Sequence, residues 1–159
     1  MANQAHLKLL HGGVIGWNAW RLAHREKTPD LKGALLTNAD LVGANLTQAS
    51  LTKANLAGAV LAEADLTGAD LTKANLTKAN LTKANLRGVN LEGASLTGAN
   101  LAGAYLARAN LTGANLGEAN LARANLAGAN LTGANFTGAD LTGTNLAETI
   151  GSEKNEPRA

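Results

Sequence analysis

The stretch Ala109-Asn110-Leu111-Thr112-Gly113 is one copy of a five-residue unit that fills most of the chain. From Leu31 to Leu146 a large apolar residue stands at every fifth position, 24 in all, and only Phe136 among them is not leucine. Alanine stands two residues before each of them, and asparagine or aspartate usually stands directly before it. The exceptions to the alanine rule are Pro29, Val89 and Thr144. One small structural unit therefore repeats along the chain.

A period of five fits neither a regular helix nor a flat strand. Successive leucines would lie about 140° apart around an α-helix, and in a strand an odd step would turn every second one to the solvent. Both difficulties disappear if the backbone turns a corner within each unit. Alanine and leucine, two residues apart, then point to the same side of a short extended segment. We therefore predict a tube with alanine and leucine inside, its core including Leu31, Leu71, Leu111 and Phe136.

The unit A-(D/N)-L-x-x, as in Ala39-Asp40-Leu41-Val42-Gly43, resembles the repeat of the pentapeptide repeat family. The resemblance implies an all-β solenoid, a right-handed quadrilateral parallel β-helix with four units per coil. The 24 units would then form six coils, about 29 Å long in total. The family resemblance leads us to expect a tube over residues 29–150.

Residues 1–28 have a different pattern, which predicts an N-terminal helical cap. Asn3 is suited to begin a helix, Gly12-Gly13 would either kink that helix or divide it in two, and Pro29 would end it. Trp17-Asn18-Ala19-Trp20-Arg21 resembles the leading segment of some cyanobacterial pentapeptide repeat proteins. The residues expected to pack over the open first coil are Leu10, Val14, Trp17 and Trp20.

The other end of the tube has no comparable apolar segment. Residues 151–159 form a polar tail without helical periodicity. Either this tail lies across the last coil, or two chains meet end to end as a homodimer through the C-terminal coil. The sequence leaves both options open.

No residue pattern predicts catalysis. The chain has no cysteine, and its three histidines all lie before residue 29, where solvated surface positions are the simplest interpretation. Asp65 and Asp70 would lie on adjoining convex walls, whereas a carboxylate acid–base pair needs a cleft. We predict no enzyme activity, no cofactor and no metal site. The absence of a signal-peptide pattern or a long apolar run favours the cytoplasm.

Charge separates two functional hypotheses. Residues 31–150 hold eight lysines and arginines and eight aspartates and glutamates. Some pentapeptide repeat proteins imitate a DNA duplex and bind type II topoisomerases, which needs a dense anionic surface. The neutral tube disfavours that alternative, and it also predicts no binding of nucleic acid.

The remaining hypothesis is a rigid module for protein interaction or scaffolding, with an unknown protein partner and no membrane contact. Tyr105 is the one aromatic residue in the outward asparagine column, and aromatic residues often anchor interfaces. Gly93, Gly113 and Gly133 would give a smooth wall that a partner backbone could approach. These four residues are the candidate protein interface.

Overall fold

The computed structural model describes residues 1–151, which form two helices followed by a solenoid. Helix α1 spans Gln4–His11 and helix α2 spans Val14–Ala23. In place of long strands, the solenoid has isolated parallel β-bridges, from Asp30↔Ser50 to Asn130↔Ile150. The two residues of every bridge are twenty apart, so one coil contains four five-residue units. We number the walls 1 to 4 after Leu31, Leu36, Leu41 and Leu46, the leucines that they carry in the first coil.

Backbone hydrogen bonds join each coil to the next and also close each corner. Leu51 N donates to Asp70 O at 2.7 Å, and Asp70 N donates to Ala49 O at 2.9 Å. Within the unit, Ala54 N donates to Leu51 O at 2.9 Å, which turns the chain onto the next wall. The residue before that alanine has a positive φ, which explains the frequent glycine there, as at Gly113 with φ 64°. Lys73 occupies the same conformation at φ 56°, at a cost of about 1 kcal/mol.

Alanine and leucine side chains fill the tube. Leu31, Leu71 and Leu111 are fully buried. In the last coil Phe136 is only partly buried, and Leu146 is 37% exposed. Phe136 therefore differs from the fully buried core residue that the repeat predicts. The physical reason is that a solenoid leucine is covered by the coils on both sides, and no further coil within residues 1–151 covers these side chains.

The helical segment differs from its prediction in one respect, the residue at which it ends. Asn3 does begin α1, since its side chain accepts hydrogen bonds from the Ala5 and His6 amides, and Gly13 at φ 107° divides the segment into two helices. Pro29 does not end α2, because the helix already ends at Ala23. Beyond it, Lys27 N donates to His24 O at 3.1 Å, and the Arg21 guanidinium donates to Lys27 O at 2.7 Å. These contacts hold a turn that replaces the end of the expected helix.

Residues 152–159 fall outside the described residues, and so does the alternative that the polar tail 151–159 lies across the last coil. Within residues 1–151 no helix is long and apolar enough to span a membrane.

Candidate interaction surface around Tyr105

Tyr105 lies on wall 4, between its bridge partners Asn85 and Asn125. Its side chain is 44% exposed, and the Cζ atom of Arg87 lies 5.2 Å from the centre of its ring. A guanidinium at this distance interacts favourably with the face of an aromatic ring. The contact fixes two side chains of the kind that dominate the energetics of protein interfaces.

A shallow groove of about 550 Å³ lies beside Arg87. Arg108 lines it, and the Arg108 Cγ would lie 3.6 Å from a Cβ atom built at Gly128. Glu148 gives the groove one carboxylate among two guanidiniums. We call these residues, together with Tyr105, the Tyr105 surface. Its members are Arg87, Gly88, Tyr105, Ala107, Arg108, Ala127, Gly128 and Glu148.

The predicted glycines Gly93, Gly113 and Gly133 do not belong to this surface. They share one corner column between walls 1 and 2, where a Cβ at Gly133 would lie 3.9 Å from the Gly113 Cα. Along the twenty-residue coil, Gly113 follows Tyr105 by eight residues, so its corner is not the corner beside Tyr105. The four residues that were predicted to form one interface therefore lie on two separate surfaces. Sequence reasoning missed Arg87 and Arg108. The twenty-residue register places Arg87 in the unit next to that of Tyr105 and Arg108 next to Gly88, so it could have found both.

The helical segment seals parts of the first coil with a tryptophan and two polar side chains. Trp17 is completely buried, and its Nε1 donates to Asn45 O at 2.8 Å. Asn45 N donates to the Asn18 side chain at 2.8 Å. Leu10 is also buried, while Val14 and Trp20 are partly buried against the core. These contacts occupy backbone groups at the edge of the coil that would otherwise lack a partner.

Two of the histidines, His6 and His24, are only partly exposed, and each contacts a neighbouring aromatic ring. Their rings lie on Trp20, with centroid distances of 4.9 Å and 5.3 Å respectively. His6 Nδ1 also accepts a hydrogen bond from the Asp30 amide at 3.0 Å. His6 therefore helps to attach α1 to the start of the first coil, whereas His24 packs against Trp20 of its own helix. His11 is exposed.

Arg21 is the only charged residue that is buried within residues 1–151, at 6% exposure. Its guanidinium donates to Lys27 O and Thr47 O, and burial lowers the pKa of Arg21. A guanidinium remains charged in a protein, so this side chain acts as a permanent donor between α2 and wall 4.

The outward asparagines and aspartates close turns. The side chain of Asn110 accepts from the Thr112 amide at 3.1 Å and from the Thr112 hydroxyl at 2.6 Å. This arrangement, the Asx-turn, explains both the Asn/Asp column and the frequent threonine two residues later. The repeated Asn-x-Thr sequence therefore serves to close these turns.

Asp70 belongs to this column and gives a test of its electrostatics. Burial by itself would raise the pKa of Asp70, but hydrogen bonds from the Thr72 hydroxyl, the Thr72 amide and the Thr52 hydroxyl outweigh it and lower the pKa. A folded-state pKa below the unfolded value adds stability above the unfolded pKa and loses it as the pH falls through the folded one. Asp70→Asn should therefore destabilise the protein at about pH 7 and have a smaller effect at about pH 3.

Urea unfolding at the two pH values measures this difference. Asp40→Asn is the matched control, because among residues 1–151 only the Val42 amide donates to the Asp40 carboxylate, at 3.2 Å. An Asp70→Asn effect that stays the same at both pH values would contradict the proposed role of the ionised carboxylate.

Both signs of charge occur on every wall and the corner that follows it. Wall 1 carries Asp70 and Lys73, wall 2 carries Lys78 and Glu118, wall 3 carries Glu63 and Lys83, and wall 4 carries Asp65 and Arg108. No wall is therefore uniformly acidic within residues 30–151. In the same part of the chain, no group of three or more histidine, aspartate or glutamate side chains is arranged to hold a metal ion.

Comparisons with known proteins agree with this architecture. The chain matches the family model of pentapeptide repeats in eight copies, over residues 30–68, 54–93, 84–121 and 109–147. The crystal structure of Rfr23, a pentapeptide repeat protein from the cyanobacterium Cyanothece 51142, shares 42% identity over 64% of this chain and 63% of its own, with a TM-score of 0.51. This chain thus spans less than two thirds of that relative. No curated protein matches.

Two further solved structures show similarity in sequence. A pentapeptide repeat protein from the thylakoid lumen of Arabidopsis thaliana is 38% identical over 50% of this chain and 59% of its own, with a TM-score of 0.44. HetL, from the cyanobacterium Nostoc sp. strain PCC 7120 and involved in heterocyst differentiation regulation, is 33% identical over 79% of this chain and 78% of its own, with a TM-score of 0.42. The match to the family model spans most of the chain and shows that the chain belongs to the pentapeptide repeat family.

Proposed function

We propose that the protein is a rigid, non-enzymatic scaffold that binds a protein partner through the Tyr105 surface. In this proposal the solenoid is a right-handed quadrilateral tube of six coils, and residues 1–28 form its cap. A tube with a fully packed leucine core resists deformation, so side chains on its walls keep fixed positions relative to each other. Such a support lowers the entropy that is lost when a partner binds.

The observation that carries the proposal is the pairing of Tyr105 with Arg87. The arginine lies 5.2 Å from the ring centre while the tyrosine remains 44% exposed, so a partner can cover both. Arg108 and Glu148 add donors and acceptors at the edge of the same groove. The mixed charges favour a protein with both signs on its surface over a uniformly charged polymer. The same mixture on every wall gives no support to DNA mimicry.

Replacing Tyr105 by alanine should weaken partner binding at least about tenfold, since truncating an interface aromatic removes a large part of the binding free energy. The partner can be identified by placing a photo-reactive amino acid at position 105 and crosslinking in a native lysate. Its affinity for purified wild-type and variant protein is then measured by calorimetry.

Asn100→Ala is the matched control. Asn100 is exposed, occupies the same slot of the five-residue unit, and lies on wall 3 directly before Tyr105's wall in the chain. The proposal is wrong if a photo-reactive residue at 100 captures the same protein as efficiently, or if Tyr105→Ala binds it with unchanged affinity.

We also propose that the C-terminal end of the tube associates with a second copy. Phe136 and Leu141 are partly covered there, Leu146 is 37% exposed and Ile150 is 62% exposed. Within residues 1–151 the amides of Phe136, Leu141 and Leu146 donate no hydrogen bond. An apolar surface beside unpaired backbone donors favours pairing with another chain.

Light scattering should show a dimer that Leu146→Glu weakens. An unchanged dimer would count against this contact.

A further inference from the structure

A polar groove of about 480 Å³ lies between the end of α2 and wall 4 of the first coil. Unlike the groove beside Arg87, it has no carboxylate among the described residues that line it. We call it the arginine groove, because two guanidiniums border it. Its lining residues are Asn18, Arg21, Leu22, Arg25, Asn45 and Thr47.

Every side-chain oxygen in the arginine groove already accepts a hydrogen bond. The Asn18 side chain accepts from Asn45 N at 2.8 Å. The Asn45 side chain accepts from the Thr47 amide at 3.2 Å and from the Thr47 hydroxyl at 2.7 Å. The Thr47 hydroxyl oxygen in turn accepts from Arg21 Nη2 at 3.0 Å. A ligand that accepts hydrogen bonds therefore suits this groove better than one that donates them.

Several donors in the same groove have no acceptor within residues 1–151. Arg21 is only 6% exposed, and its buried Nε lacks a hydrogen-bond partner. Its Nη1 uses one of two hydrogens, in the bond to Lys27 O. Arg25 is exposed, and its guanidinium has no partner in this part of the chain. Buried donors are almost always satisfied in folded proteins, so the free Nε of Arg21 needs an explanation.

The positive charge of Arg21 is also not balanced by a neighbouring acid among residues 1–151. Burial is the one influence that shifts the pKa of Arg21, and it lowers this pKa, whereas a nearby carboxylate would raise it. Glu26 is exposed and does not line the groove. Asp65, the bridge partner of Asn45, does not line it either, and its carboxylate accepts from the Thr67 amide and hydroxyl.

Stabilising the end of α2 does not account for the two arginines. Cationic side chains do so by donating to the last carbonyls of a helix. Arg21 donates instead to Lys27 O and Thr47 O, which both lie outside α2. The carbonyl of Trp20 is bonded by the His24 amide at 3.0 Å. The free donors of the two arginines therefore remain available at the groove.

We propose that the arginine groove binds a phosphate group, which accepts hydrogen bonds from Arg21, Arg25 and the Asn45 side-chain amide. A phosphate group carries close to two negative charges at neutral pH and offers at least three acceptor oxygens. A carboxylate has two oxygens, which a single guanidinium can already bind in a bidentate manner. Two guanidiniums at one groove thus match a phosphate better. Leu22 lies at the edge of the groove and offers an apolar contact to the remainder of a phosphate ester.

Nuclear magnetic resonance tests the site directly, because the Arg21 Nε–H and the Asn45 side-chain amide give separate signals. Inorganic phosphate should shift both signals saturably, with a dissociation constant on the order of 1 mM, since a small ion at an open groove makes few contacts. Acetate at the same ionic strength should bind at least tenfold more weakly. If the two anions bind equally well, the choice of phosphate is wrong.

Phenyl phosphate distinguishes the two sources of a phosphate group. Tighter binding than that of inorganic phosphate, together with shifts of the Leu22 methyl signals, would assign the groove to a phosphate ester. Equal or weaker binding would assign it to the free ion. If neither compound shifts the Arg21 Nε–H at concentrations far above the expected dissociation constant, the groove is not a phosphate site.

Arg25→Ala should raise the dissociation constant for inorganic phosphate about tenfold, because it removes charge-assisted hydrogen bonds. The fold should be retained, since the Arg25 guanidinium has no partner within residues 1–151. Arg123→Ala is the matched control: it removes the same charge at an exposed arginine near the other end of the tube and should leave the affinity unchanged. Circular dichroism checks the fold of both variants. Equal affinities of the wild type and Arg25→Ala would overturn the proposal.

Discussion

Leu91→Ala is expected to lower the free energy of unfolding by about 3 kcal/mol. Leu91 is fully buried on wall 1, between Leu71 and Leu111 of the neighbouring coils. Truncation removes three carbon atoms and leaves a cavity that the ladder closes poorly, because hydrogen-bonded backbone surrounds it on all four walls. Since each coil contacts only its neighbours, the cavity also weakens the coupling between the two parts of the solenoid that it separates.

Leu146→Ala is the matched control for this prediction. It makes the same chemical change at the same position of the repeat, but Leu146 is 37% exposed. At protein concentrations at which the chain is monomeric, we expect a loss below about 1 kcal/mol, because part of the side chain is then in water and little cavity forms. Urea unfolding followed by circular dichroism measures both variants. Equal losses for the two leucines would show that the repeat position alone, and not coverage by adjacent coils, determines the contribution of each leucine.

The five-residue period was sufficient to predict which side chains fill the solenoid, because it is a direct consequence of the geometry. Alanine and leucine two residues apart must share a face of an extended segment, and the unit repeats without an insertion from Leu31 to Leu146. The same regularity explains the error at Phe136. Its unit follows the common pattern apart from the phenylalanine itself. The partial exposure of Phe136 depends on its place in the stack, which a repeat pattern does not encode.

Contacts between distant residues account for the other differences. Nothing near Ala23 in sequence signals the end of α2. The turn after it is held by Arg21, which lies between Lys27 and Thr47. Likewise, the contact of His6 with Trp20 joins residues on two different helices whose relative orientation Gly13 determines. A single sequence gives no measure of that orientation.

In the candidate site, too, the repeat pattern predicts some features, and others depend on contacts between distant residues. Tyr105 could be singled out because it breaks the asparagine column, whereas its pairing with Arg87 requires the twenty-residue register of the coils. The sequence alone gave four units per coil only through a family resemblance. With that register applied to the neighbours of Tyr105, Arg87 and Arg108 would have been included and the three glycines placed on a separate surface.

Trp17→Ala is the second substitution with a large expected effect, a loss of about 4 kcal/mol in the free energy of unfolding. Trp17 is completely buried, it contacts Trp20 at a ring-centroid distance of 5.3 Å, and its Nε1 donates to Asn45 O at 2.8 Å. Alanine would leave a cavity between α2 and the first coil and would also leave the Asn45 carbonyl without its donor. Water would then reach the leucines at this end of the tube.

Two variants separate the contributions of packing and hydrogen bonding. Trp17→Phe keeps most of the apolar contact and loses the N–H donor, so it should cost about 1–2 kcal/mol. Trp20→Ala removes a tryptophan that is only partly buried and should cost less than Trp17→Ala. Hydrogen exchange should show faster opening of the first-coil amides, such as Leu31 and Leu46, in Trp17→Ala, with central amides such as Leu91 affected least. If exchange instead rises equally along the solenoid, Trp17 supports the whole fold cooperatively, and its role is not confined to the end that it covers.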